Sequence, residues 1–250
     1  MKMTTTLTTL TATALLAGGA QALSFDADVT PDVIFGTGNA NGGWTIDSMH
    51  GVELGLRAKL RHNAAGLPEN TFNSNGDGTY TFDPIVGPTQ SFPTAEWSFE
   101  WSINTDANGT GDRQLNDLTY ELGMTSPNTD AETPIFDPIN VAYADHAIGD
   151  NSTGNGDGID AGDATAYSSL ISGGNVAQNS WKPHWFVATG DFDPTIPNAE
   201  YIYTLSAFDN GVQIASTSIT VITTPSPTAA LAGALGLGFV VSRRRRGTRA

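Results

Sequence analysis

"GVELGLRAKLR", residues 51–61, decides the fold class of this chain. Val52, Leu54, Leu56, Ala58 and Leu60 alternate with Glu53, Arg57, Lys59 and Arg61. A period of two puts successive side chains on opposite faces of an extended strand, so the stretch predicts a half-buried β-strand with its charges outward. "AEWSFEWSIN", residues 95–104, repeats the pattern. Trp97, Phe99, Trp101 and Ile103 point inward there, and Glu96, Ser98, Glu100 and Ser102 outward. "LTYELGM" gives Leu118, Tyr120, Leu122 and Met124 on one face. "EYIYTLSAFDNGVQIASTSITVI", residues 200–222, reads as two strands around Asp209-Asn210-Gly211, a strong hairpin signal.

Shorter strands are expected at 32–35, 44–46, 79–82 and 185–188. One helix is expected in "DAGDATAYSSLISGG", capped by Asp160 or Asp163 and stopped at Gly173-Gly174. Many strands joined by Gly-, Asn-, Asp- and Pro-rich turns predict an all-β domain over residues 23–221. The expected form is a single antiparallel β-sandwich, jelly-roll-like, with one short helix.

Both ends of the chain read differently. "MKMTTTLTTLTATALLAGGAQA", residues 1–22, has one lysine, an apolar stretch, and the A-x-A pattern of Ala20 and Ala22. That is the layout of a secretory signal peptide, which implies the Sec translocon and signal peptidase as partners. At the other end, "PSPTAALAGALGLGFVVSRRRR", residues 225–246, runs from a proline step through an apolar stretch to an arginine cluster. The apolar part, Thr228 to Ser242, is short against the roughly 17–25 residues of a spanning helix. Its basic end predicts a cytoplasmic C-terminus with the rest of the chain outside. Residues 222–227 read as a spacer, and 228–250 as a short transmembrane helix with its arginine tail.

Charge follows the same division. The chain has 26 acidic and 11 basic residues. Every acid lies between the two terminal segments, with only Arg57, Lys59, Arg61, Arg113 and Lys182 beside them, a net of −21. Such a body repels nucleic acid, so no nucleic-acid partner is expected, and it attracts divalent cations. The chain has no cysteine, which excludes thiol nucleophiles and zinc–thiolate sites.

The C-terminal arrangement resembles the PEP-CTERM sorting signal of exported bacterial proteins. Pro225, Ser226 and Pro227 stand for the motif, with Ser226 where the family has its glutamate, and Arg243, Arg244, Arg245 and Arg246 form the basic cluster. The resemblance implies recognition by an exosortase-like membrane protease, transient membrane anchoring, and delivery to the cell surface or extracellular matrix. "PDVIFGTGNANGGWTID", "NTFNSNGDGTYTF", "WSFEWSIN" and "AQNSWKPHWF" are similar to blocks of uncharacterised secreted proteins of that kind, over roughly 32–221. That similarity implies a compartment and a single-domain body, and no chemistry.

Candidate chemistry is sparse. Glu96 and Glu100 share a strand face but lie about 13 Å apart by strand rise, beyond the roughly 5–9.5 Å of a glycosidase pair. His50, His62, His146 and His184 lack metal spacing, and Asp145 beside His146 is the one candidate His–Asp contact. Calcium is the better expectation. "GDNSTGNGDGIDAGD", residues 149–163, supplies Asp150, Asn155, Asp157, Asp160 and Asp163 as oxygen ligands. "NSNGDG" and "NTDANGTGD" are lesser candidates. Trp181 and Trp185 in "NSWKPHWF" are candidates for stacking on sugar rings. The expected function is therefore a non-catalytic, structural or adhesive surface sandwich. The alternatives are a carbohydrate-binding module stabilised by calcium, with exopolysaccharide as partner, and a secreted hydrolase.

Overall fold

A computed structural model describes residues 22–225 with the exception of 112. The hairpin organises one sheet. β9 (Glu200–Asp209) and β10 (Val212–Thr223) pair antiparallel with Asp209 opposite Val212, leaving Asn210 and Gly211 as the turn. Both turn residues have positive φ, 49° and 78°. That is the two-residue turn whose twist matches its strands, and it is why Asn-Gly stands there. β4 (Thr79–Phe82) and β6 (Thr119–Thr125) complete a four-stranded sheet in the order β4-β10-β9-β6.

The second sheet has six strands. β1 (Ser24–Ala27), β2 (Trp44–Met49), β3 (Val52–Leu60), β5 (Trp97–Asn104), β7 (Ala147–Gly149) and β8 (Val176–Trp181) are ordered β1-β2-β3-β5-β8-β7. The alternating apolar residues of β3 and β5 meet those of β9, β10 and β6 between the sheets. Phe99 stacks on Tyr203 with ring centroids 4.3 Å apart, and Trp97 meets Tyr203 edge-on at 6.1 Å. Both are arrangements that ring quadrupoles favour. Among the described residues a single α-helix, α1 (Ala164–Gly173), starts where Asp163 accepts the Ala166 amide at 2.8 Å and ends where the Gly174 amide donates to Leu170.

The all-β sandwich with one short helix is what alternation and turns predicted. Four details differ. β10 pairs with β4 in parallel, Thr220 opposite Thr79 through Thr223 opposite Phe82, so the sandwich is not wholly antiparallel. One flank of β10 is taken by its hairpin partner, and the other receives a strand from far earlier in the chain, which no tight turn forces to run antiparallel. The six-and-four division, with β1, β2 and β3 as a meander, is not the four-and-four interleaving of a jelly roll. Residues 32–35 and 185–188 form no strands: the first lies over a sheet face, and Pro183–Trp185 make a 3₁₀ turn. β10 also continues two residues into the expected spacer, to Thr223.

Candidate functional site: the polar face of the six-stranded sheet

The expectation that β3 and β5 are half-buried is corrected by the structure. Both faces of each strand are covered. Arg57 is 0 % exposed and Glu100 is 1 % exposed, although both sit on the face turned away from the main core. The segment 28–43 covers that face. Val29 and Val33 pack on Trp44 and Ile46, and Ile34 packs on Ala147 and Val176, giving two small apolar clusters outside the sheet. Gly55 allows the close approach: a Cβ there would lie 2.8 Å from Val29 Cγ1. Side-chain amides hold the cover in place. Gln178 accepts the Ile34 amide and donates to the Asp32 carbonyl, both at 2.8 Å. Asn41 bonds both backbone groups of Val29.

Beneath the cover lies a ladder of polar side chains. Register places Arg57 opposite Glu100 and Glu100 opposite Ser180, with Lys59 opposite Ser98. Arg57 Nε donates to Glu100 Oε2 at 2.6 Å, and its Nη1 donates to the carbonyls of Ala40 and Gly42 at 2.9 and 2.7 Å. Its guanidinium lies between two rings, 4.2 Å from the centroid of Trp44 and 4.3 Å from that of Phe72. Burial lowers the Arg57 pKa, and the Glu100 carboxylate opposes that shift. Lys59 donates to Asn39 Oδ1, and burial lowers its pKa too. Burial raises the Glu53 carboxyl, against the lowering effect of its bonds from the Thr30 amide and hydroxyl.

The ladder opens at one end. Lys182 follows Trp181, which stands opposite Phe99, and Arg61 follows β3 with its amide donating to the Glu96 carbonyl at 2.7 Å. Trp185 is 53 % exposed, and Lys182 Nζ lies 5.7 Å from its ring centroid. Among the described residues neither the Arg61 nor the Lys182 side chain has a hydrogen bond or ion pair, whereas Arg57 is paired with Glu100 and Arg113 with Asp209. Burial lowers the pKa of Lys182, and Arg61 lowers it further. His184 is lowered by burial and then by Lys182. His62 is lowered by burial, with Lys182 and Arg61 adding to the shift against a bond to Gly66.

The other candidates separate. Trp181 is corrected: it is 7 % exposed and packs against Trp101, Phe186 and His146 at 5.3, 4.7 and 5.6 Å, so it belongs to the core and offers no face to a sugar. Alternation, carried to the end of β8, points it inward. Among the five calcium candidates, Asp150 accepts from the Ser152 amide and hydroxyl and from Thr153, closing its own turn. Asn155 ties the loop to the cover through Val33, Gly38 and Asn39. Asp163 caps α1, while Asp157 and Asp160 are exposed. Among the described residues no three Asp, Glu, His or Cys gather as a metal site, so these aspartates are not brought together. In the lesser loops, Asp77 caps Thr79 and Asp106 accepts from Thr110 and Gly111.

His146 is buried, with Nε2 2.7 Å from the Pro138 carbonyl and Nδ1 3.1 Å from Asn179 Nδ2. Nε2 therefore donates and Nδ1 accepts, and neither ring nitrogen is open to a substrate. Glu96 lies on the same face as Glu100 but bonds the Asp83 amide at 2.8 Å, while Glu100 is held by Arg57. Glu96, Asp83, Thr224 and Pro225 help line a pocket of about 420 Å³ where β10 ends. Of the sorting and cleavage residues, Pro225 and Ala22 are described. Ala20, Ser226, Pro227 and Arg243, Arg244, Arg245 and Arg246 lie outside the described residues, as do the signal peptide up to residue 21 and the whole apolar tail. Among the described residues no helix is long and apolar enough to cross a membrane.

Comparison with family models, curated proteins and solved structures returned no match.

Sequence reasoning missed the Arg57–Glu100 pair. The only signal was that the charged faces of β3 and β5 carry an arginine and a glutamate, which register then sets opposite each other.

Proposed function

We propose that this protein is an exported bacterial surface or matrix component, sorted through its PEP-CTERM-like tail and acting as a non-catalytic, structural or adhesive β-sandwich. The observation that carries this reading is the commitment of its chemistry-bearing side chains to structure. Glu100 neutralises a buried arginine, His146 spends both ring nitrogens, and Asp150 and Asp163 close a turn and cap a helix. The signal-like leader, the acidic body and the arginine-ended tail support export, with the Sec translocon, signal peptidase and an exosortase-like protease as partners. Intact mass of the protein from membrane, surface and medium fractions tests it. Loss of residues 1–22 and a cut near Pro225 in the surface or medium fraction is the expected result. An uncut C-terminus confined to the membrane overturns the sorting reading.

A second reading is favoured by one observation, the exposed indole of Trp185. A half-exposed tryptophan fixed on a 3₁₀ turn at the rim of a sheet is a stacking platform for a sugar ring, which makes the domain a carbohydrate-binding module with exopolysaccharide as its partner.

A further inference from the structure

The corner formed by Arg61, Lys182 and Trp185 differs from the rest of the surface. Among the described residues Arg61 and Lys182 form no ion pair, although Arg61 follows the register position opposite Trp97 and so neighbours Glu96, whose carboxylate accepts the Asp83 amide at 2.8 Å. The neighbouring strands fix their placement: Lys182 extends β8 and Arg61 extends β3, on either side of the start of β5. Both side chains are half-buried, so their charges are less hydrated than those of free surface lysines or arginines. His62, next to Arg61 in the chain, is 6 % exposed and its Nε2 has no hydrogen-bond partner. Unpaired like charges held together repel each other, and an anion placed between them relieves that repulsion.

We propose that this corner is a subsite for a sugar ring bearing a carboxylate, with the ring face on the Trp185 indole and the carboxylate held by Arg61 and Lys182. The inference rests on the carbohydrate-binding reading and names its ligand class. A guanidinium offers the planar, two-pronged donor geometry that a carboxylate takes. An ammonium near an aromatic face adds a point charge where the ring sits. The surrounding acidic surface disfavours a chain charged at every unit, such as a nucleic acid, and leaves a saccharide whose charge is met locally.

The test uses the full chain and trisaccharides in which one galacturonate, mannuronate or guluronate unit is joined to two neutral sugars. Their methyl esters, which keep the rings and lose the charge, and a short single-stranded oligonucleotide serve as comparisons. Binding is read by titration calorimetry. The expected result is that at least one uronate binds, that its ester binds at least about tenfold more weakly, and that affinity falls between low and high salt. Arg61→Gln and Lys182→Gln each lower affinity on the order of tenfold, and Trp185→Ala abolishes binding, all three with unchanged thermal unfolding. Esters that bind as well as the acids overturn the anionic subsite and leave the carbohydrate reading standing. No binding by any saccharide overturns both. Oligonucleotide binding with the same residue dependence overturns the sugar assignment.

Discussion

Arg57 and Glu100 lie on adjacent strands at matched register, 2.6 Å apart, and neither side chain reaches water. The pair holds the cover segment down because the same guanidinium bonds the Ala40 and Gly42 carbonyls. Taking either charge alone out of this site leaves the other uncompensated. Arg57→Met or Glu100→Leu is expected to cost about 3–5 kcal/mol, and the double variant much less than the sum. Urea unfolding of the three variants measures this as a double-mutant cycle, and additive losses would refute the coupling.

The two tryptophans of "NSWKPHWF" are expected to behave oppositely. Trp181→Ala removes a ring packed on five aromatic neighbours and should cost about 3–5 kcal/mol. Trp185→Ala should change stability by less than about 0.5 kcal/mol. Equal losses in thermal or urea unfolding would contradict the burial difference.

Asp163→Ala should cost about 1 kcal/mol through loss of the helix cap. A cap is indifferent to calcium, so the loss should be the same in chelator and in millimolar calcium. A loss that appears only with calcium present would assign Asp163 to a cation instead.

Burial lowers the His146 pKa from 6.5, against the raising effects of Pro138, Asp145 and Asp160. A histidine with a depressed folded pKa stabilises fully above its unfolded value, and that contribution is lost as pH falls from about 6.5 toward the folded pKa. His62 and His184 shift the same way. Stability should therefore drop between pH 7 and 5, and His146→Gln should flatten the drop. Glu53 and Glu96, both raised by burial, act oppositely at lower pH, where the folded state takes up their protons first. An unchanged slope in the variant would remove His146 from the account.

Gly211 has φ of 78° and open space around it, so Gly211→Ala tests backbone conformation alone. The expected cost is about 1 kcal/mol. A neutral or stabilising result in urea unfolding would argue against the two-residue turn.

Local signals carried most of the fold. Period-two alternation located β3, β5 and β6. Asn210-Gly211 fixed the hairpin, and the helix start was narrowed to Asp160 or Asp163, of which Asp163 is the cap. What the sequence hid was long-range. Nothing local says that residues 28–43 return to cover Arg57, because that contact depends on Val29 and Val33 packing over the sheet face, with Val29 against Gly55. The parallel β4–β10 pairing joins residues about 140 positions apart and leaves no turn signature. The site was legible by half: Trp185 was named beside Trp181, and burial separates them, Trp185 being 53 % exposed and Trp181 7 %.

β10 ends fastened on both sides. Thr223 and its neighbours pair with β4 and β9, and the Thr224 amide donates to Phe82 at 2.9 Å. Pro225 follows directly on that clamp. Traction on the C-terminus therefore pulls β10 along its own axis and loads two rows of backbone hydrogen bonds together, in shear. Strands pulled this way break many bonds at once, whereas a peeled edge strand gives them up one by one. A domain tethered at this end resists flow by its last strand, and force spectroscopy from the C-terminus should show one high rupture event, lowered when a proline at Thr220 breaks the row.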